Sequence, residues 1–377
     1  MASSEWIPPG STIIVSPPLG DSGKRTALVL QRILEKAGFS TCLIGDEEIP
    51  MGCESTALSY LRKKLILNDL FICGRILRNR KRISLAIYHI GAPSLTFSLV
   101  LSRVLGIGPI VLIAGSESKS AFEIYGWKYG RLIASIMSRY FSIREKVAYS
   151  TARRLIIYTT SLIGDLGVGK WKSKCVVTGP LAIETEVFRP LTLFENRPDV
   201  IGFIGRLSEE KGPRLFLDSL SEIFRKRERT RAIIVGAGPL EDELRALARE
   251  RGLSGRVEFT GWVDSGSVAT YLNQMRLCVV PSRTEGMPLL IVQAMACGTP
   301  VLASRVGGIE ETLAGGNLGF LLDVLTKEHL AERVINILAR NDLREFSERI
   351  ATHAAYEFSL EAVAMKYRNA LLNLGIP

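Results

Sequence analysis

The sequence predicts an α/β protein made of two doubly wound domains, each a parallel sheet covered by helices. Three observations carry that reading. The chain has 377 residues, about two domains at roughly 150 residues each. Short apolar runs alternate with stretches of helical spacing in both halves, the rhythm of βαβ units whose crossovers put helices on both faces of a sheet. The loops leaving those runs carry glycine, and in such sheets ligands bind where loops converge beyond the carboxyl ends of the strands.

Taken in order, Thr12–Ser16 is a strand, Pro17–Gly23 a loop, and Lys24 to Ala37 a helix stopped by Gly38. Thr41–Ile44 is the next strand. From Ile83 to Ser102 there is no formal charge, but Tyr88, His89 and Gly91-Ala92-Pro93 interrupt it. Strand, loop and buried helix is expected there, and no transmembrane helix. The seam falls near Gly179–Arg197, rich in proline, charge and turn residues. Val200–Ile204 begins the second half as a strand, and Pro213 opens an amphipathic helix, its fixed φ suiting a first helical position. Arg231–Val235 leads to a helix from about Leu240, Leu277–Val280 to one from Pro288, and Val301–Ala303 to the loop Arg305–Gly308.

Hydrophobic content of 47% with 23% charged residues excludes a disordered chain. The formal charge is +10, and it is uneven: residues 1–190 hold 25 Lys/Arg and 14 Asp/Glu, leaving 23 and 24 for residues 191–377. An anionic partner is expected at the first half, with a membrane surface, a phosphorylated acceptor or nucleic acid as candidates. The basic clusters Arg62–Lys64 and Arg75–Arg82 lack interleaved aromatics, which argues against nucleic acid. Between Lys128 and Arg154, stepping by about 100° per residue puts Lys128, Arg131, Arg139, Lys146 and Arg153 in one sector, with Ile133, Ile136, Tyr140 and Val147 opposite. That predicts a basic amphipathic helix with its apolar face in the core, docking to anionic lipid being the second reading. Six scattered cysteines without a C-x-x-C predict free thiols in a reducing compartment and no structural zinc. The N-terminus lacks the apolar run of a signal peptide. A cytoplasmic protein, peripheral to the cytoplasmic face of a membrane if it docks to lipid, is expected.

The chemistry gathers in the second half. Gly205-Arg206-Leu207-Ser208-Glu209-Glu210-Lys211-Gly212 offers two cations on one strand-end loop. Such a pair also occurs as solvated surface, but the flanking glycines favour close backbone approach to a ligand. Pro281 to Pro288 (PSRTEGMP) precedes the helix PLLIVQAMACG, whose first N–H groups suit an anion. Glu285 beside it suits sugar hydroxyls better than phosphate. Gln293 is the polar side chain of that helix and either caps a neighbouring loop or meets a polyhydroxylated ligand. With the loops at Gly236-Ala237-Gly238-Pro239 and Gly261, the set describes a diphosphate with a polyol at one end.

The pieces GRLSEEKG, GAGPLEDEL, VEFTGWV, VPSRTEGMPLLIVQAMACGTPV and SRVGGIEE resemble, in that order, the retaining glycosyltransferases of family 4, over about residues 180–325. The resemblance implies the GT-B architecture of two Rossmann-like domains facing a central cleft. An acceptor-binding domain would span 1–185, a nucleotide-sugar-binding domain 195–355, and a helix crossing back to the first domain 356–377. It implies Arg206, Lys211 and Glu285 as catalytic groups, the cations on the donor diphosphate and Glu285 on the hexose. Donor binding would involve Gly20, Gly205, Gly236, Gly286, Met287, Pro288, Leu289 and Leu290, with Gln293 on the ribose and the backbone near Val263 on the base. Gly23, His89 and Ser116 are the acceptor-side candidates.

Three departures stand out: Gln293 for the usual glutamate of E-x7-E, Ile113-Ala114-Gly115-Ser116-Glu117 where relatives place a histidine, and Leu181-Ala182 for asparagine-glycine. No D-x-D is present, so metal-independent, retaining transfer of a hexose from a nucleoside diphosphate sugar is expected, without cofactor. The acceptor hydroxyl would belong to a lipid or a glycan. A nucleotide-sugar epimerase of the same architecture, or a non-catalytic sugar-nucleotide-binding protein, is the alternative.

Overall fold

The computed structural model describes residues 7–16, 21–44, 57–89 and 95–373; within these, the side chains of 21–25, 57–66 and several positions from 120 to 128 are not described. The chain divides into two units, one formed by residues up to Ala182 together with those from Leu360, the other by Ile183–Ser359. Chain order in the first is β1 (Ser11–Val15), α1 (Asp21–Lys36), β2 (Thr41–Ile44), α2 (Ala57–Asn79), β3 (Ile83–Tyr88), α3 (Thr96–Val104), β4 (Ile110–Ile113), α4 (Glu117–Tyr129), α5 (Arg131–Thr151), β5 (Arg154–Ile157), α6 (Leu162–Asp165) and β6 (Cys175–Val177). The second continues with β7 (Val200–Ile204), α7 (Pro213–Lys226), β8 (Arg231–Val235), α8 (Glu241–Glu250), β9 (Val257–Gly261), α9 (Ser265–Gln274), β10 (Leu277–Val280), α10 (Leu289–Ala296), β11 (Val301–Ser304), α11 (Ile309–Thr312), β12 (Phe320–Leu322), α12 (Lys327–Leu338) and α13 (Leu343–Glu357). Helix α14 (Leu360–Leu372) then returns to the first unit, where it packs on α1 and buries Tyr367.

Both sheets are six-stranded and parallel, in the orders β2-β1-β3-β4-β5-β6 and β12-β11-β10-β7-β8-β9. Burial on both faces explains the unbroken apolar runs: every residue of β1, β4 and β10 is buried. In the second unit α7 starts where Gly212, at φ +71°, hands over to Pro213, and its Phe216, Leu217, Leu220, Ile223 and Phe224 enter the core. Asp264 caps α9, accepting from the amides of Gly266 and Ser267 at 2.8 and 3.1 Å. At the start of this unit the Arg197 guanidinium is buried without a carboxylate. It donates instead to the carbonyls of Met275 and Cys297 and to Thr299 Oγ1 at 3.1, 2.6 and 2.9 Å. Burial pulls its pKa down to about 10, which still leaves it charged at neutral pH.

The first unit departs from expectation in three places. Helix α1 begins at Asp21, so Gly23 lies in its first turn, not in a loop. The basic segment from Lys128 is not one helix: Gly130, at φ +84°, ends α4 and starts α5, which stops at Thr151 before Arg153. Nor does its apolar side enter the core. Ala134, Glu145, Ala148 and Tyr149 face inward, while Ile133, Ile136, Tyr140 and Val147 are exposed. Helix α3 is likewise not buried: Ser98, Leu99 and Ser102 point in, Phe97, Val100 and Val104 out. The inward polar groups have partners. The Asp69 carboxylate on α2 accepts from the amides of Phe97 and Ser98 at 2.8 and 3.0 Å, and the Tyr88 and Ser102 hydroxyls lie 2.8 Å apart. Caps and hydroxyl pairs thus occupy the inner side that aliphatic side chains were expected to fill. None of the described helices is long and apolar enough to cross a membrane.

Candidate functional site

In the second sheet the chain runs outward from β7 through β8 to β9, then returns to β10 on the other side of β7. The strand order therefore reverses between β7 and β10, and loops leaving such a switch point diverge to form a crevice. Those two loops are Gly205–Gly212 and Pro281–Pro288, the ones that carry Arg206, Lys211 and Glu285.

Backbone hydrogen bonds join five edge loops into one continuous rim. Gly236 N donates to Gly261 O, Gly205 N to Val235 O, and Leu207 N to Ala237 O; Arg283 N donates to Glu210 O and Gly308 N to Gly286 O, all within 2.7–3.0 Å. The glycines serve this joining. A Cβ on Gly212 would stand 2.3 Å from Pro281 O, one on Gly236 2.0 Å from Gly205 O, one on Gly238 2.4 Å from Leu207 O and one on Gly307 2.1 Å from Glu285 O. For these four glycines the close approach of loop to loop is a steric requirement, whereas a Cβ on Gly205 would meet only the Phe203 ring at 3.6 Å and one on Gly261 nothing within 4 Å.

Within the rim, Lys211 Nζ lies 2.7 Å from Glu285 Oε1, and Ser282 Oγ donates to the same oxygen at 2.8 Å. The Glu285 side chain is only 8% exposed and that of Lys211 32%, so the carboxylate is tied down while the ammonium keeps an outer side. No described hydrogen bond uses Glu285 Oε2. Arg206, on the same loop, is exposed and makes no described ion pair. Pro288 is the N-cap residue of α10 and supplies no side-chain cap, so the helix begins with backbone donors open to an anion. Met287, Leu289 and Leu290 around it are half-buried and pack on the core of the unit. Gln293 is half-buried, and no described hydrogen bond uses its amide. Among the described residues it caps no loop. Val263 follows β9 and also packs on the core. Trp262 before it is 69% exposed, an aromatic face at the rim that motif reading passed over although it stands inside FTGWV.

Gly20 lies outside the described residues. His89 follows β3 at the corresponding switch point of the first sheet, but it is completely buried, neither ring nitrogen has a hydrogen-bond partner among the described residues, and burial drives its pKa down to about 4. It is a neutral imidazole. Ser116 is the N-cap of α4, accepting from Lys119 N at 3.2 Å, and its hydroxyl lies 3.3 Å from Glu145 Oε1. Its bonding capacity is thus committed locally. Beside it, where relatives were expected to place histidine, stands Glu117. Burial, assisted by the neighbouring Glu145, raises its pKa to about 7.

Comparison with known proteins adds to this geometry. Sucrose-phosphate synthase from Thermosynechococcus elongatus superposes with a TM-score of 0.72 at 19% identity, over 97% of this chain and 99% of that one. Anabaena HepE, solved in complex with UDP, gives 0.70 at 15% identity over 96% and 100%. The fold is therefore the α/β pair of the GT-B class. Residues 198–340 match the family model described as glycosyl transferases group 1. The D-inositol 3-phosphate glycosyltransferase of Corynebacterium jeikeium is 34% identical over 176 residues, 45% of this chain and 42% of that protein. The alpha-D-kanosaminyltransferase of Streptomyces kanamyceticus is 27% identical over 183 residues, 48% and 47%. The chain thus spans less than half the length of these curated relatives.

Proposed function

We propose that the protein is a glycosyltransferase that takes a hexose-type sugar from a nucleoside diphosphate and passes it to an acceptor hydroxyl with retention of anomeric configuration. The observation that carries the reading is the Lys211–Glu285 pair at the switch point, beside the uncapped start of α10. Glu285 holds Lys211 in place, and its own Oε2 can accept from a sugar hydroxyl. Lys211, the exposed Arg206 and the amides of Gly286, Met287, Leu289 and Leu290 together supply positive potential for a departing diphosphate, so the reading includes no divalent ion. Front-face attack, in which the leaving phosphate takes the acceptor proton, completes the reading. Gln293 offers an acceptor and donors for ribose hydroxyls, and Trp262 offers a face for the base. The acceptor hydroxyl belongs to a lipid or a glycan in this reading.

The test is release of nucleoside diphosphate from a panel of nucleotide sugars, with and without candidate acceptors and with chelator present. A transferase releases diphosphate in proportion to acceptor. Arg206→Ala is expected to lower turnover by about two to three orders of magnitude, the typical cost of one preorganised donor, with unchanged thermal unfolding. Near-normal turnover in that variant, or interconversion of sugars without acceptor, overturns the proposal.

A further inference from the structure

The first unit carries an outer surface that its fold does not use. Strands β2, β3, β4 and β5 succeed one another in a single direction across the sheet, and right-handed crossovers therefore place α2, α3 and α5 together on one face. Helix α3 packs against both of the others. On each helix the buried side is opposite an apolar stripe. On α2 the inward residues include Asn68, Asp69 and Ile72, whereas Leu70 and Phe71 face out. On α3 Val104 is 76% exposed, and on α5 Leu132, Ile136 and Ile143 are 77%, 60% and 56% exposed. Three adjacent stripes at helical spacing make a contiguous apolar layer, more than singly scattered surface residues would give.

The charges around that layer have one sign. Arg103, Arg131, Arg139 and Lys146 are exposed, and the acidic residues among the described side chains of these three helices are Asp69 and Glu145, both buried. Stepping along α5 places Arg139 and Lys146 on one flank of its apolar stripe and Arg144 on the other, where its guanidinium bonds the Tyr140 hydroxyl. An apolar stripe between cations, with no exposed carboxylate, is complementary to an interface that offers hydrocarbon and anionic phosphate together.

We infer that the outer surface of α2, α3 and α5 docks the protein on an anionic lipid bilayer. The aliphatic side chains enter the boundary between headgroups and acyl chains, and the flanking arginines and lysine meet lipid phosphates. A nucleic acid would leave the aliphatic stripes in water, so it does not fit. The inference rests on the first unit and stands whether or not the second unit transfers sugar.

Co-sedimentation of the full chain with vesicles of phosphatidylcholine alone, or with a minority of phosphatidylglycerol, at low and high salt, tests it. Pelleting is expected with the anionic vesicles, weaker at high salt. Arg139→Gln with Lys146→Gln is expected to weaken partition about 25-fold at low salt, roughly fivefold per charge. Ile136→Ser with Ile143→Ser is expected to weaken it at least about tenfold, and Phe97→Ser on α3 lowers it too, each with the wild-type unfolding midpoint. No pelleting on anionic vesicles at low salt overturns the inference, as does pelleting that ignores both the apolar and the basic substitutions. A stable dimer that the Ile136/Ile143 variant dissolves, without vesicle binding by the wild type, assigns the layer to a second copy instead and equally overturns it.

Discussion

Glu117→Gln isolates one electrostatic cost in the first unit. The Glu117 Oε2 atom is buried and has no hydrogen-bond partner among the described residues. Its neighbour Glu145 is fully engaged, accepting from Ser118 N at 3.2 Å and from Ser118 Oγ at 2.7 Å. Arg144 opposes the repulsion but spends its own donors on Thr96 and Tyr140. Glu117 titrates near 7 instead of 4.5 in the folded protein, so ionising it there costs about 3 kcal/mol at 1.36 kcal/mol per tenfold. The folded pKa is the higher one. This group's contribution to stability is therefore complete below about pH 4.5 and is lost as pH rises through 7. Glutamine keeps the shape and never ionises. Thermal unfolding of wild type and variant near pH 5 and near pH 8 should show little difference at the lower value and a gain of about 3 kcal/mol at the higher, roughly 6–12 °C for a unit of this size. An equal gain at both values, or a loss at the higher one, would falsify the account.

His89 has the opposite sign. Its folded pKa is about 4 against an ordinary 6.5, so stability is complete above about pH 6.5 and falls as pH drops towards 4. His89→Leu should abolish that fall, and a variant as acid-sensitive as the wild type contradicts the buried neutral ring. Gly212→Ala would drive a Cβ to 2.3 Å from Pro281 O at a φ of +71°. A loss of about 2–4 kcal/mol in denaturant unfolding is expected, and a loss under about 0.5 kcal/mol shows that the two loops part easily. A double-mutant cycle of Lys211→Met and Glu285→Gln should give a coupling of about 1–3 kcal/mol without any ligand; independent effects would mean that the pair does not hold the rim.

The second unit was legible almost residue by residue. The strands Val200–Ile204, Arg231–Val235 and Leu277–Val280 appear as read, because burial on both faces leaves uninterrupted apolar runs bounded by glycine and proline. The motif loops also gather at one sheet edge as expected. Motif reveals a place where a side chain does not fit but not what occupies the space, which at Gly212, Gly236, Gly238 and Gly307 is a carbonyl of a neighbouring loop. The first unit was harder for a definite physical reason. Reading α3 and α5 from sequence assumes that the apolar side of a helix faces the core, whereas here Asp69, Ser98, Ser102 and Glu145 point inward because specific partners meet them there. Such pairings join residues far apart in sequence, and no local pattern announces them. Glu117 was missed for a related reason, since its perturbation comes from burial and from a carboxylate 28 positions away.

The return of α14 to the first unit gives the chain an order of events. Residues 360–372 follow all of Ile183–Ser359, yet the first unit is not whole until they arrive, because they bring the buried Tyr367 and cover the surface of α1. On the ribosome the later-encoded unit can therefore close before the earlier one. A chain cut after Ser359 would leave an intact downstream half attached to an upstream half with its α1 side uncovered, so a lesion in α14 would register as misfolding of residues made more than three hundred codons before it.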